Sequence, residues 1–142
     1  MLMKVYLWFR KNILKIDDRS QLEIAIENGL KIGKNHNIQD QVILDWSHCW
    51  LIEIGDNVLF GPRVSIYTAR HAFDAKERGA GACFAKKVKI GNNVWVGGGV
   101  HMDHGITIGD NTVIGAGSVI TRDIPANVVA AGAPCRGIRE IK

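Results

Sequence analysis

Five histidines and three cysteines are the side chains in this sequence best suited to proton transfer, nucleophilic attack or metal binding. Their spacing limits what they can do. Cys49, Cys83 and Cys135 are odd in number and far apart, which argues against a disulfide framework and against a CxxC metal knuckle. No histidine–cysteine motif marks any of them as a nucleophile. His101 and His104 form an H-x-x-H pair in VHMDHG, with His36 and His48 upstream. Gly97/Gly99 and Gly115/Gly117 look like phosphate-binding glycine pairs, but no strand-to-helix context follows them. His71 opens a long irregular segment, TARHAFDAKERGAGACFAKK over 68–87. It is either a loop histidine without a role or a general base. An imidazole in the second role takes a proton near neutral pH and is worth about 10²–10⁴ in rate.

The elements that must hold these side chains repeat. Residues Ile90, Val96, Met102, Ile108, Ile114 and Ile120 stand six apart, and all are large and aliphatic. Four places after each come Val94, Val100, Ile106, Thr112, Ser118 and Ile124. The same step runs through Ile54, Phe60 and Ile66, and earlier through Ile32, Ile38 and Leu44. Glycine follows many of the stops, and GDN or GNN triplets recur at 55–57, 91–93 and 109–111. Each unit reads as one short strand and one turn, with glycine and asparagine supplying turn conformations that strain other residues. Three units close a triangular coil of about eighteen residues, and stacked coils make a hexapeptide parallel β-helix. The known hexapeptide version winds left-handed, so the expected fold is an all-β, left-handed parallel β-helix.

Two breaks interrupt this rhythm. The phase slips by four residues around WSHCWLI (46–52), and residues 68–87 fit no strand pattern. The second reads as an excursion from a β-helix corner, because a long irregular segment between good repeats is usually functional. Upstream, Ser20 and Glu23 form a capping box and Gly29 a stop signal, so a short helix is expected over about 20–28. Residues 1–16 carry a rough apolar face opposite basic residues. They read as a cap on the open β-helix end, with an anionic membrane surface as the second reading. The expected organisation is a single domain over 1–142: an N-terminal cap and helix over 1–30, the β-helix over 31–135 and a tail over 136–142.

Length and composition narrow the function classes. The chain has 142 residues, 46% of them hydrophobic and 23% charged, which fits one soluble globular domain. A net charge of +4 permits an anionic ligand without demanding one. No arginine-rich run, zinc-finger spacing or aromatic RNA-binding signature points to nucleic acid. The apolar stretch Val5–Phe9 is too short for a secretory signal, so the expected compartment is the cytoplasm.

The stretches IYTARHAFDAKERG (66–79), VKIGNNVWVGGGV (88–100) and ITIGDNTVIGAGSVITRDIPANVVAAGAPCRGIREI (106–141) together resemble one family. It is the galactoside and maltose O-acetyltransferase branch of the hexapeptide acyltransferases. The upstream repeats are similar to polysaccharide-biosynthesis acetyltransferases of the same superfamily. This resemblance implies direct transfer of acetyl from acetyl-CoA to a hydroxyl of a sugar-like small molecule, in a homotrimer with sites between subunits. It places the catalytic base at His71. For the coenzyme it implies Trp95, Gly97, Gly98, Ala116, Thr121 and Arg122, with Arg136 and Arg139 near the phosphates, where guanidinium offers paired N–H donors. Asp45, at the end of VILD, falls in the acceptor region as a hydrogen-bonder or as a plain turn aspartate. Arg78 stands where the branch has an arginine after the histidine. The family's N-terminal acceptor segment looks shortened or replaced.

Other functions stay open at this point: N-acetylation of an amino sugar, an antibiotic acetyltransferase, or a non-catalytic or metal-binding β-helix trimer. A γ-type carbonic anhydrase pairs its histidines as H-x₄-H, whereas Lys76 stands five residues after His71. No metal is therefore expected. His104 occupies a turn where the family usually has proline before glycine.

Overall fold

The aliphatic stops of the six-residue repeat turn inward. Ile54, Phe60, Ile66, Ile90, Val96, Met102, Ile108, Ile114 and Ile120 are all buried, as are Val58, Val64, Val94 and Val100 between them. Burying one such side chain contributes about 1.5–3 kcal/mol. The computed structural model describes residues 21–39, 41–45, 47–79 and 81–142. Residues 1–16, expected as a cap or a membrane-facing segment, lie outside the described residues.

The chain opens with helix α1 (Gln21–Glu27). It stops at Gly29, whose φ is +98°. Leu30 N–H donates to the Ala25 carbonyl and Gly29 N–H to that of Ile26, the paired bonds of a Schellman stop. Ala25 and Leu30 are buried on the open end of the coil stack.

Three sheets follow, parallel throughout except for the final pair β15–β16. The first contains β1 (Lys31–Ile32), β4 (Ile52–Ile54), β9 (Val88–Ile90) and β12 (Thr107–Ile108). The second contains β2 (Asn37–Ile38), β5 (Leu59–Phe60), β10 (Trp95–Val96), β13 (Val113–Ile114), β15 (Val128–Gly132) and β16 (Cys135–Glu140). The third contains β3 (Ile43–Leu44), β6 (Ser65–Ile66), β11 (His101–Met102) and β14 (Val119–Ile120). They are the three sides of a left-handed parallel β-helix.

Coil length varies, and each variation has a visible cause. The first step is 22 residues, seen between Asn35 and Asn57. Its surplus is a 3₁₀ turn at Cys49–Leu51, the four-residue slip of the sequence. The second step is 36, seen between Asp56 and Asn92, because the excursion is inserted. The third is 18 and the last only 16. The short last coil puts Ile124 beneath Ile108. The repeat places it four residues past a stop; the structure makes it the next stop.

The excursion contains regular structure that the six-residue pattern does not reveal. Strands β7 (Ala69–His71) and β8 (Cys83–Ala85) pair antiparallel around helix α2 (Ala75–Gly79). They pair with each other and not with a coil, so no hexapeptide phase marks them.

Turn chemistry follows the expectation at the asparagines and departs from it at Gly97. Asn35, Asn57, Asn93, Asn111 and Asn127 take the left-handed conformation, with φ between 52° and 60°. Their amides form a ladder in which Asn93 donates to Asn111 at 3.0 Å and Asn111 to Asn127 at 2.9 Å. Gly97 does not have positive φ. A Cβ there would sit 2.6 Å from the Ala116 nitrogen, so that glycine is needed for coil-to-coil approach. Asn111→Val is expected to cost about 1–2 kcal/mol more than Asn111→Gly in urea unfolding, since a β-branched residue resists this backbone.

Candidate active site

The corner between the third and first sheets carries the excursion. Asp45 fastens its base: Oδ2 accepts from Thr68 N–H at 3.0 Å and from Thr68 Oγ1 at 2.8 Å, and Oδ1 accepts from Ser47 N–H at 3.0 Å. Thr68 is fully buried and immediately precedes β7. Burial by itself would raise the Asp45 carboxyl, but these hydrogen bonds outweigh it and hold the group below its ordinary value. A carboxyl depressed in the folded state contributes full stability above its unfolded value, and that contribution is lost as pH falls below it through the lower folded value. Asp45→Asn is therefore expected to cost about 1–2 kcal/mol at neutral pH. The gap to wild type should begin to narrow at about pH 4 and close below it, measured as urea midpoints across pH.

His71 ends β7 with its ring exposed. Its Nδ1 lies 3.3 Å from the Ala82 carbonyl oxygen. A carbonyl only accepts, so Nδ1 carries a proton, and in the neutral ring Nε2 keeps its lone pair. Lys86 N–H donates to the Thr68 carbonyl and Ala72 N–H to that of Ala82. These bonded pairs make His71 and Cys83 a closely facing, non-hydrogen-bonded pair. The hairpin's other face carries Arg70, whose guanidinium carbon is 4.5 Å from the Phe73 ring centre and 5.4 Å from that of Phe84. Arg78 lies in α2; its side chain is outside what the structure describes.

The expected coenzyme residues fall elsewhere. Trp95, 55% exposed, stands on the outer face of the second sheet beside Leu59 and Val113. Val113 neighbours Val129, which faces Arg139 across the β15–β16 pair. Trp95 and Arg139 are thus joined by an apolar row three strands wide, about 14 Å. Arg136 faces Ala131 along the same strand pair. Gly97, Gly98 and Ala116 stack at the corner between the second and third sheets. Thr121 and Arg122 lie exposed at the excursion's own corner, one coil beyond Asp103 and His104. The third sheet therefore separates His71, Thr121 and Arg122 from Trp95, Gly97, Gly98, Ala116, Arg136 and Arg139 within one chain.

Among the described residues, no three His, Cys, Asp or Glu side chains are grouped to hold a metal ion. No helix among them is long and apolar enough to cross a membrane. Cys49 and Cys135 are buried, and burial pushes both thiols up, which disfavours a nucleophilic thiolate.

This architecture, a hexapeptide β-helix with a histidine hairpin at one corner, is matched among known proteins. Residues 87–122 match the family described as bacterial transferase hexapeptide (six repeats). The galactoside O-acetyltransferase of Escherichia coli (strain K12) is 46% identical over 116 residues, covering 80% of this chain and 55% of that protein. The solved maltose O-acetyltransferase of Clostridium difficile 630 is 40% identical with a TM-score of 0.72, covering 99% of this chain and 84% of that one. A hexapeptide-repeat acetyltransferase of Vibrio cholerae O1 biovar eltor, solved with acetyl coenzyme A, is 36% identical with a TM-score of 0.76, covering 80% and 61%. The chain belongs to the hexapeptide-repeat acetyltransferase family. It spans about half the length of the first curated relatives it matches.

Proposed function

We propose that this protein transfers acetyl from acetyl-CoA to a hydroxyl of a sugar-like small molecule. The observation that carries the reading is the exposed His71 ring, tethered at Nδ1 by the Ala82 carbonyl, which leaves Nε2 to act as the base. Nε2 takes the acceptor's hydroxyl proton as its oxygen attacks the thioester carbon. The tetrahedral oxyanion collapses, the C–S bond breaks, and the proton passes from His71 to the departing CoA thiolate. Backbone N–H donors near the WVGGG turn are the candidates to meet the oxyanion.

The Trp95–Val113–Val129–Arg139 row suits a long ligand with an apolar arm and a phosphorylated end. Its indole offers contact area, and Arg136 and Arg139 offer phosphate donors. Since this row and His71 lie on opposite sides of the third sheet, a site using both takes them from different chains. That supports a homotrimer with sites between subunits. The cytoplasm is the proposed compartment, where acetyl-CoA is available, and nucleic acid is not proposed as a partner.

Thermal unfolding under a CoA titration tests the coenzyme half. Saturation about a hundredfold above Kd adds roughly 2.7 kcal/mol to stability. No upward shift at millimolar CoA would sink the reading. Thiol release from acetyl-CoA across sugars and amino sugars then identifies the acceptor and separates O- from N-transfer.

A further inference from the structure

Arg70 leaves the hairpin on the face opposite His71 and reaches back to the coil. Its Nε donates to His104 Nε2 at 3.0 Å. Arginine never accepts, so His104 must be neutral with its proton on Nδ1. That proton points at Asp103 Oδ1, 2.8 Å away, and the His104 backbone N–H reaches the same oxygen at 2.8 Å. Burial pushes the Asp103 carboxyl up, but these two hydrogen bonds overcome it and hold the group low, as an anion. Arg70 also donates through its terminal nitrogen to the His71 carbonyl at 3.3 Å. The chain Asp103–His104–Arg70 thus runs from a coil turn to the backbone of the residue that carries the base.

We propose that His104 is a positioning residue: with Asp103 behind it, it accepts from Arg70 and latches the His71 hairpin to the coil in its working orientation. This inference rests on His71 being the base. Two features make the latch specific. The backbone bonds of the β7–β8 hairpin tie its strands to each other, leaving its angle to the coil to Asp45–Thr68 at its base and Arg70 midway along β7. And the bond exists in one protonation state only. A proton on His104 Nε2 removes the acceptor and sets a cation against the guanidinium. The charged and titratable groups around the ring are Arg70 from the hairpin and Asp103 beside it, with His101 on β11 acting on Asp103. Lys86 also packs there, its side chain lying 3.0 Å from where a Cβ on Gly105 would be.

The full chain is tested with acetyl-CoA and its best acceptor. His104→Ala should lower kcat on the order of 10–10²-fold, the cost of a misplaced catalytic group, with KM for acetyl-CoA within about twofold. His104→Gln, whose amide oxygen can accept from Arg70 without titrating, should recover most of that loss. Wild type should lose kcat toward acid more steeply than the one-proton fall a base alone produces. His104→Gln should show the one-proton fall. Wild-type kcat in His104→Ala, or an unchanged acid limb in His104→Gln, overturns the latch. Nitrogen-15 NMR of the imidazoles tests it without turnover: His104 protonated at Nδ1 and bare at Nε2 at neutral pH is the expected state, and the reverse tautomer overturns it. If His71→Ala keeps full rate, the base reading fails, and the latch then stands or falls on that tautomer.

Discussion

His71→Ala should lower acetyl transfer by about 10²–10⁴ in kcat while leaving the fold intact. The ring is exposed and its Nδ1 makes only a 3.3 Å contact to a carbonyl, so truncation removes little packing. Stability should change by no more than about 0.5 kcal/mol, as for other surface substitutions. KM for acetyl-CoA should hold, because the apolar row that suits the coenzyme lies beyond the third sheet. Full-rate thiol release by this variant, measured at several pH values, would remove His71 from the chemistry.

Gly97→Ala is expected to harm the fold heavily for its size. The added methyl would stand 2.6 Å from the Ala116 nitrogen, 2.8 Å from its Cα and 3.0 Å from the Ile114 carbonyl oxygen. All three are backbone atoms of the next coil, so relief requires parting the coils. That opposes the bond from Gly97 N–H to the Ile114 carbonyl at 2.8 Å. We expect a loss of about 2–3 kcal/mol, or roughly 6–9 °C in Tm. Gly98→Ala is the control. Its methyl would meet the Pro62 carbonyl oxygen at 3.2 Å, a contact that a small shift relieves. If Gly97→Ala melts like wild type and loses only CoA affinity, the residue serves the coenzyme and not the stack.

The coil stack was legible because its signal is periodic. One aliphatic stop every six residues has one geometric solution, and the stops from Ile54 to Ile120 all went inside. Helix α1 was legible from Glu23 and Gly29, although its N-cap lies outside the described residues. The hairpin was hidden because its three-residue strands pair only with each other. Polar residues in aliphatic slots had no visible reason either. Ser118 and Thr112 are fully buried where the last coil is short, and their hydroxyls serve its backbone: Ser118 accepts from Gly132 N–H, and Thr112 donates to the Pro125 carbonyl.

The site was legible only in part, for a different reason. His71 stood out by its place in the excursion, but Asp45 could equally be a turn residue until Thr68 was seen to take up its Oδ2. The Arg70–His104–Asp103 chain joins residues 34 apart in sequence. Its only trace was a departure: histidine where relatives usually place proline.

The reversed last strand has a consequence for solubility. A solenoid of parallel coils ends in a row of unpaired backbone groups, a template on which another copy could lay its first coil and extend into a fibre. Here β16 runs antiparallel to β15, with a register shift beside Val129, and it carries Arg136 and Arg139 with Ile138 between them. An incoming parallel strand finds the wrong direction, a broken register and positive charge. Truncating the chain before Cys135 should therefore expose β15 and convert a discrete particle into one that grows end to end.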